Sequence, residues 1–195
     1  MFLYIFFRWL LCIPLMILLP TRVKGWRNIL IKGGAIIVSN HLSYLDVFVM
    51  AFACPRPIHF LAKSELYRNF LLRVLLYSLG AIPIKRGSAD LKAIRRCIEI
   101  TKKGGLLCIY PEGTTIGKKA GPVSEIKQGA SLIALKTNVD IIPVMLIKKP
   151  RLFVPNTMII GKPFKPGNEM KLNGAALDEV SELMKNKMNE LVGCG

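Results

Sequence analysis

The stretch Ala35-Ile36-Ile37-Val38-Ser39-Asn40-His41-Leu42-Ser43-Tyr44-Leu45-Asp46, followed by residues 47–53, decides how this chain folds. Its first four residues form a short apolar run, which is typical of a buried strand. Residues 45–53 are apolar apart from Asp46 and contain neither glycine nor proline, so they predict a helix. A polar loop therefore joins a strand to a helix, and this loop carries a histidine and an aspartate five residues apart.

The spacing of His41 and Asp46 indicates a pair of side chains that act together. Within one helix, a separation of five residues would point them apart, because a turn takes about 3.6 residues. In a loop, the histidine can swing back onto the aspartate, which would fix its tautomer and leave the other ring nitrogen as an acceptor. We interpret His41 as a base that Asp46 orients. A chance spacing is the alternative, because the chain has 12 acidic residues.

The remainder of the chain alternates between the two kinds of secondary structure. Helical patterns at residues 63–78, 89–103 and 124–137 separate several of the strand-like runs, and a polar helix at 175–191 closes the chain. The strand-like runs lie at residues 58–62, 81–84, 106–110, 141–147 and 157–160. This order predicts a single α/β domain with a mostly parallel mixed sheet flanked by helices.

The N-terminus predicts a membrane-associated segment. Residues 2–19 contain one charge, Arg8, and as a helix they would be about 27 Å long, slightly less than the hydrocarbon core of about 30 Å. Pro14 would kink such a helix. We expect a helix within one leaflet at residues 1–25, followed by the α/β domain at 26–195, and a buried core helix is the alternative. Residues 65–79 are also apolar, and there a core helix is favoured over contact with lipid.

The composition indicates an anionic partner. The chain carries 28 Lys and Arg against 12 Asp and Glu, a net charge of +16, and it is 52% hydrophobic. An excess of both basic and apolar residues favours a lipid surface over nucleic acid. Five scattered cysteines without a CxxC pair argue against a disulfide framework or a zinc site.

Polar clusters follow three of the predicted strands. His41 follows the first, Lys85-Arg86 another, and Glu112-Gly113-Thr114 a third. In open α/β sheets, ligands bind beyond the carboxyl ends of the strands, so these clusters can form one site. Arg86 can hold a phosphate in a bidentate grip, and Gly113 can let the backbone approach a ligand closely.

No motif in the sequence supplies a protein nucleophile. The chain has no GxSxG elbow, no Walker loop and no GxGxxG after a strand. A base without a nucleophile favours direct attack by a substrate hydroxyl.

The ordered motifs resemble those of the glycerophospholipid acyltransferases, of the bacterial 1-acyl-glycerol-3-phosphate type. The resemblance covers about residues 20–165. Four main blocks carry it: Asn40-His41 with Asp46, residues 80–86, Glu112-Gly113-Thr114, and Ile142-Pro143-Val144. Smaller matches lie at residues 62–66, 126–130 and 161–163.

The resemblance implies transfer of a fatty acyl group from acyl-CoA or an acidic acyl-carrier protein to lysophosphatidic acid, giving phosphatidic acid. It implies a protein on the cytoplasmic face of the cell membrane, monotopic or peripheral, in contact with membrane lipids and not with nucleic acid. It requires no metal and no cofactor. The roles it implies are His41 as general base, Asp46 as its orienting group, Lys63 as a donor to the thioester oxyanion, and Lys85, Arg86, Glu112, Gly113 and Thr114 as the binding site of the acceptor.

One position departs from the family pattern. The family usually has an arginine directly after Glu-Gly-Thr, where this chain has Thr115. Lys85, Lys118 or Lys119 can complete the phosphate site, or the acceptor is another lysophospholipid. Two further hypotheses stay open: a thioesterase or hydrolase in which His41 activates water, and a non-enzymatic basic protein that binds anionic lipid.

Overall fold

Seven strands form one sheet in the computed structural model, in the order β1-β7-β6-β2-β5-β3-β4. The structure describes residues 14–85, 90–113, 121–167 and 172–194. The strands are β1 Thr21–Lys24, β2 Ala35–Ser39, β3 Ile58–Lys63, β4 Ile82–Ile84, β5 Leu106–Ile109, β6 Asp140–Leu146 and β7 Asn156–Ile160. Every neighbouring pair is parallel except β6 and β7. The predicted α/β domain with a mostly parallel mixed sheet is confirmed.

Five α-helices of at least eight residues accompany the strands in the described ranges: α1 Asp46–Ala53, α2 Phe70–Ser78, α3 Leu91–Lys102, α4 Gln128–Thr137 and α5 Gly174–Asn189. Short 3₁₀ turns lie at Trp26–Ile29, Ser64–Arg68 and Val192–Cys194. The prediction that α4 begins near residue 124 was wrong by four residues. Lys127 has an extended backbone and its amide donates to the Pro111 carbonyl at 3.0 Å, so the helix begins only at the next residue.

The sheet separates two hydrophobic cores, because alternate side chains of a strand point to opposite faces. Ile36 and Val38 of β2 belong to the core on the side of α3, α4 and α5. Ala35 and Ile37 belong to the core on the side of α1. Since β2 is buried on both faces, it reads as a continuous apolar run, as expected of a central parallel strand.

The sequence analysis missed β1, which pairs in parallel with β7 from Thr21 opposite Asn156 to Lys24 opposite Ile159. These residues lie within the stretch 1–25 that was grouped with the N-terminal segment. Residues 14–18 are helical, and residues 1–13 lie outside the described part of the chain. Among the described residues, no helix combines the length and apolar character needed to cross a membrane.

The prediction that residues 65–79 form a core helix was wrong. No residue of α2 is buried, and the Leu71 side chain is 75% exposed. The helix connects β3 to β4, the last strand at its edge of the sheet. A run of apolar residues does not show whether another element of the fold packs against it.

Candidate active site

The Asn40 side chain fixes the backbone at the end of β2. Its amide donates to the Leu146 carbonyl at 2.9 Å, and its oxygen accepts from the Leu146 amide at 2.8 Å. The buried side chain thus continues the hydrogen-bond pattern between β2 and β6 by one step beyond the strand. This clamp places the next residue, His41, at the carboxyl edge of the sheet.

The pair predicted from the sequence is formed: His41 Nδ1 lies 3.0 Å from Asp46 Oδ2. The same Oδ2 accepts from the amides of Leu42 at 2.6 Å and Ser43 at 2.8 Å, so Asp46 folds the loop back on itself. Asp46 is the first residue of α1, where the helix dipole favours a negative charge. The loop and the start of the helix together explain why two side chains five positions apart come into contact.

The geometry of this pair assigns its protons. A carboxylate oxygen only accepts, so Nδ1 carries the proton and Nε2 keeps a lone pair. The Asp46 side chain is fully buried, and its Oδ1 has no hydrogen-bond partner among the described residues. A carboxylate in contact with Nδ1 holds the ring in one tautomer and lies beside any charge that forms on it. The pair can therefore take up a proton at Nε2 and stabilise the imidazolium that results.

Tyr110 is a part of the site that the sequence analysis missed. Its ring stacks on the His41 imidazole, with centroids 4.0 Å apart and planes inclined by 16°. Burial, together with the nearby Cys108 and Asp46, raises the pKa of Tyr110 well above its ordinary value of 10.0. The signal for its role was its place at the end of the strand-like run, directly before Pro111 and Glu112.

Strand register determines which other predicted residues lie nearby. Val38 lies opposite Ile109, so the segment after β5 that carries Glu112 runs beside the segment that carries His41. Lys63 ends β3, which is separated from β2 by β5, and two strand spacings amount to roughly 10 Å. The exposed Lys63 side chain makes no hydrogen bond or ion pair with a described residue, so the structure does not join it to His41.

Lys85 follows β4 at the same edge, and its amide donates to Asp90 Oδ2 at 3.0 Å. Asp90 also caps α3 by accepting from the Ala93 amide at 3.1 Å. Those backbone bonds, followed by the field of the Lys85 ammonium, lower the pKa of Asp90. Arg86, Thr114, Thr115 and the pair Lys118 and Lys119 lie outside the described residues.

The absence of a side chain at Gly113 leaves room for the side chain of Lys127. A Cβ atom there would lie 2.8 Å from both Cε and Nζ of Lys127, and the glycine has a φ of +74°. The Lys127 amide donates to the Pro111 carbonyl at 3.0 Å, which ties the start of α4 to the turn at 110–113. Lys127 is thus a cation at the site that the sequence analysis did not single out, although it lies within the block 126–130.

A cavity of about 380 Å³ lies between the sheet and the helices α3 and α4. Tyr110, Gly113, Lys127 and Lys85 line it at the carboxyl ends of the strands. The apolar part of its lining includes Leu61, Ile84, Ile94, Ile109, Leu132 and Ile133. Tyr110, which stacks on His41, is also among the residues that line this cavity.

No group of three or more His, Cys, Asp or Glu side chains in the described ranges is arranged to hold a metal ion. The described polar side chains at this edge of the sheet include the His41–Asp46 pair, Lys85 and Lys127. Such a set can accept a proton from a hydroxyl and can hold an anion.

Known proteins are similar to this chain over the region that carries the site. The acyltransferase family model matches residues 20–147, which include the clamp, the pair and the turn at 110–113. A 1-acyl-sn-glycerol-3-phosphate acyltransferase of Borreliella burgdorferi is 34% identical over 142 residues, or 69% of this chain. One from Bacillus subtilis is 25% identical over 181 residues and is matched over 87% of both chains.

A solved structure has a similar fold. The crystal structure of the 1-acyl-sn-glycerophosphate acyltransferase PlsC from Thermotoga maritima matches with a TM-score of 0.67 and 28% identity. The match covers 88% of this chain and 71% of that one. The chain spans 54% of the length of the Borreliella relative and 32% of that of a chloroplast relative from Arabidopsis thaliana.

Proposed function

Because this chain belongs to the acyltransferase family, we propose that it transfers a fatty acyl group from a thioester to the free hydroxyl of 1-acyl-glycerol-3-phosphate. The product is phosphatidic acid, and the donor is acyl-CoA or an acidic acyl-carrier protein. The observation that carries the proposal is the 3.0 Å contact between His41 Nδ1 and Asp46 Oδ2, which leaves Nε2 as the base. No metal and no cofactor enters the proposed reaction.

The reaction balances with the groups of this site. His41 Nε2 takes the proton of the acceptor hydroxyl while the hydroxyl oxygen bonds to the thioester carbonyl carbon. Asp46 stabilises the imidazolium that forms, and Lys63 would donate to the oxyanion. The tetrahedral intermediate then collapses, the carbon–sulfur bond breaks, and the thiolate leaves with the proton from the imidazolium. An ester and a free thiol result.

The acceptor phosphate needs cations at this edge of the sheet. We assign the glycerol phosphate of the acceptor to Lys85, Arg86, Glu112, Gly113 and Thr114. To the cations we add Lys127, whose ammonium lies against Gly113. Lys127 can replace the arginine that the family usually has at position 115, because both would meet the phosphate as a positive charge. Lysine does so as a point charge without the bidentate geometry of arginine.

The acyl chain fits the cavity between the sheet and α3 and α4. Isoleucine, leucine and alanine make up half of its lining residues. Burial of a hydrocarbon chain there is favourable by about 0.8 kcal/mol for each CH₂ group. Tyr110, which lines the cavity and stacks on His41, would keep the carbonyl carbon near the base.

We further propose that the enzyme works at the cytoplasmic face of the cell membrane as a monotopic or peripheral protein. The net charge of +16 supports this because anionic headgroups attract basic proteins. The apolar sequence at residues 2–19 supports it as well, since its length suits a helix within one leaflet.

The deciding experiment supplies purified protein with a panel of lysophospholipids and with acyl-CoA or acyl-carrier protein, and identifies the products by mass. We expect phosphatidic acid from 1-acyl-glycerol-3-phosphate and no product from His41→Ala, which should still fold. Equal donor consumption with and without acceptor would indicate a thioesterase instead. Preference for another lysophospholipid would assign the effect of Thr115 to acceptor choice, and vesicle binding without turnover would reject the enzyme.

A further inference from the structure

Helix α2 and the 3₁₀ turn before it expose a continuous apolar face. None of the residues Phe70–Ser78 is buried, although the helix consists almost entirely of apolar side chains. We call this face the α2 surface; its exposed members are Leu66, Phe70, Leu71, Leu72, Val74 and Tyr77. Contiguous exposed apolar patches mark sites where proteins contact partners or membranes.

The α2 surface is held in shape by its own contacts. The Asn69 side chain caps the helix by accepting from the Leu72 amide at 3.1 Å. Tyr67 packs edge-to-face against Tyr77, with ring centroids 5.1 Å apart, and burial raises the pKa of Tyr67 to about 12. The exposed face thus belongs to an ordered helix, and a partner would meet a preformed surface at little entropic cost.

The charged residues beside the α2 surface indicate what kind of partner it binds. The only charged residues between 66 and 79 are Arg68 and Arg73. The Arg73 guanidinium lies 5.5 Å from the centroid of the Phe70 ring, so a cation borders the apolar face. Arginine beside aromatic and aliphatic side chains suits the boundary of an anionic bilayer, where the side chains enter the hydrocarbon and the guanidinium reaches the headgroups. A second copy of the chain would bring the same arginines and another +16.

The position of the α2 surface connects it to the site. The 3₁₀ turn Ser64–Arg68 follows Lys63, the last residue of β3, so Leu66 lies near the carboxyl edge that carries His41. The loop between His41 and Asp46 exposes Tyr44 at this edge. We propose that the α2 surface docks on an anionic lipid bilayer, with Arg68 and Arg73 at its headgroups. The consequence that lipid acceptor then reaches the site directly rests on the proposed function.

The test measures partition of the full chain onto vesicles of phosphatidylcholine and phosphatidylglycerol at 7:3, by flotation. The variant Phe70→Ser/Leu71→Ser/Val74→Ser should bind these vesicles about tenfold or more weakly, because one buried large apolar side chain alone is worth at least that factor. The variant Arg68→Glu/Arg73→Glu should also bind about tenfold or more weakly. This loss of affinity should be smaller at high salt, because salt screens the attraction between the arginines and the headgroups.

Two controls change the same properties elsewhere. Lys102→Glu/Lys103→Glu makes the same change of charge at the end of α3, near the amino ends of the strands. Leu91→Ser removes an exposed leucine at the start of α3. Both should bind vesicles like the parent within about twofold. Should the triple variant fail to fold by circular dichroism, the single change Leu71→Ser, at a side chain 75% exposed, carries the test.

The outcomes separate this proposal from the enzymatic one. Weaker vesicle binding by both α2 variants, with the parent rate on substrate dispersed in detergent micelles, supports the docking surface. Parental vesicle binding by both variants overturns it. Loss of a parental dimer in the triple variant, with vesicle binding intact, also overturns it and assigns the face to a second copy. Absence of turnover in the parent would reject the enzyme and leave the vesicle comparison decisive for the surface.

Discussion

The Tyr110 ring covers one face of the His41 imidazole, with centroids 4.0 Å apart, while Asp46 contacts the ring edge at Nδ1. The stack comes from the end of β5 and the carboxylate from α1, so two separate elements restrain one side chain. This restraint fixes the orientation of the imidazole and therefore the position of Nε2.

For Tyr110→Ala, we expect kcat to fall about tenfold, because an aromatic pair is worth about 0.5–1.5 kcal/mol and the imidazole gains freedom. Tyr110→Phe keeps the stack and should keep the parental rate. Because burial raises the pKa of Tyr110 well above 10, its hydroxyl stays protonated in any ordinary assay, so Tyr110→Phe should also keep the pH profile. A tenfold fall of kcat in Tyr110→Phe would show that the Tyr110 hydroxyl, and not its ring, supports catalysis.

Substitution of Asp46 by Asn should lower kcat by about 10²- to 10⁴-fold, because an amide can accept from the loop backbone but does not stabilise an imidazolium. Single-turnover rates would measure this. Residues that act as a unit are not additive, so the double variant with His41→Ala should be no slower than His41→Ala alone. An additive loss would separate Asp46 from the action of His41.

The Asn40 clamp should be a determinant of stability. Asn40→Ala leaves the buried amide and carbonyl of Leu146 without partners, so we expect the free energy of unfolding to fall by about 2–4 kcal/mol. Asn69→Ala is a matched control, because it removes one exposed helix cap worth about 1 kcal/mol. Urea unfolding of both variants compares them, and equal losses would contradict the clamp.

The contact of Gly113 with Lys127 predicts a specific effect on the acceptor. Gly113→Ala should displace the Lys127 ammonium and raise the KM for the phosphorylated acceptor about tenfold, as expected from one charge-assisted contact worth about 1.5 kcal/mol.

Gly104→Ala is its control, because Gly104 has a similar φ of +86° with no atom within 4 Å of the added Cβ. It should cost about 1–2 kcal/mol of stability and leave KM unchanged. Equal acceptor KM values in the two variants would exclude a role of Lys127 at the phosphate.

The cavity should set the length of the acyl chain. Ile94 is half-buried and lines the cavity, and Ile94→Phe would fill part of its volume. We expect the preferred donor to shorten, with kcat/KM for the longest accepted chain falling about tenfold or more through overpacking worth about 1–3 kcal/mol. A series of acyl-CoA lengths measures this, and an unchanged profile would place the acyl chain elsewhere.

Much of the site was predictable because it depends on local rules. The strand-like run at 35–38, the loop and the start of α1 are close in sequence, so the contact of His41 with Asp46 follows from local geometry. The gathering of His41, Lys85 and Glu112 at one edge follows from parallel strands, since their carboxyl ends share one edge. The structure extends the site by Tyr110 and Lys127, which depend on register and on the packing of α4.

The failures also have physical reasons. Strand β1 is short and polar, and its strand conformation comes from pairing with β7, which is more than 130 residues away in sequence. The start of α4 depends on the bond of the Lys127 amide to the Pro111 carbonyl, which belongs to the turn after β5. The exposure of α2 depends on its place at the edge of the sheet. None of these relations leaves a periodic pattern in the local sequence.

The sequence by itself determined the α/β class, the order of the strand-end clusters and the His41–Asp46 pair, because periodicity and spacing act over a few residues. Only the tertiary structure decided that Tyr110 stacks on His41, that Gly113 makes room for Lys127, and that an apolar helix faces outward. These depend on which strands become neighbours and on which faces find a second layer. Packing across the whole chain determines both, so they cannot be predicted from any single segment of the sequence.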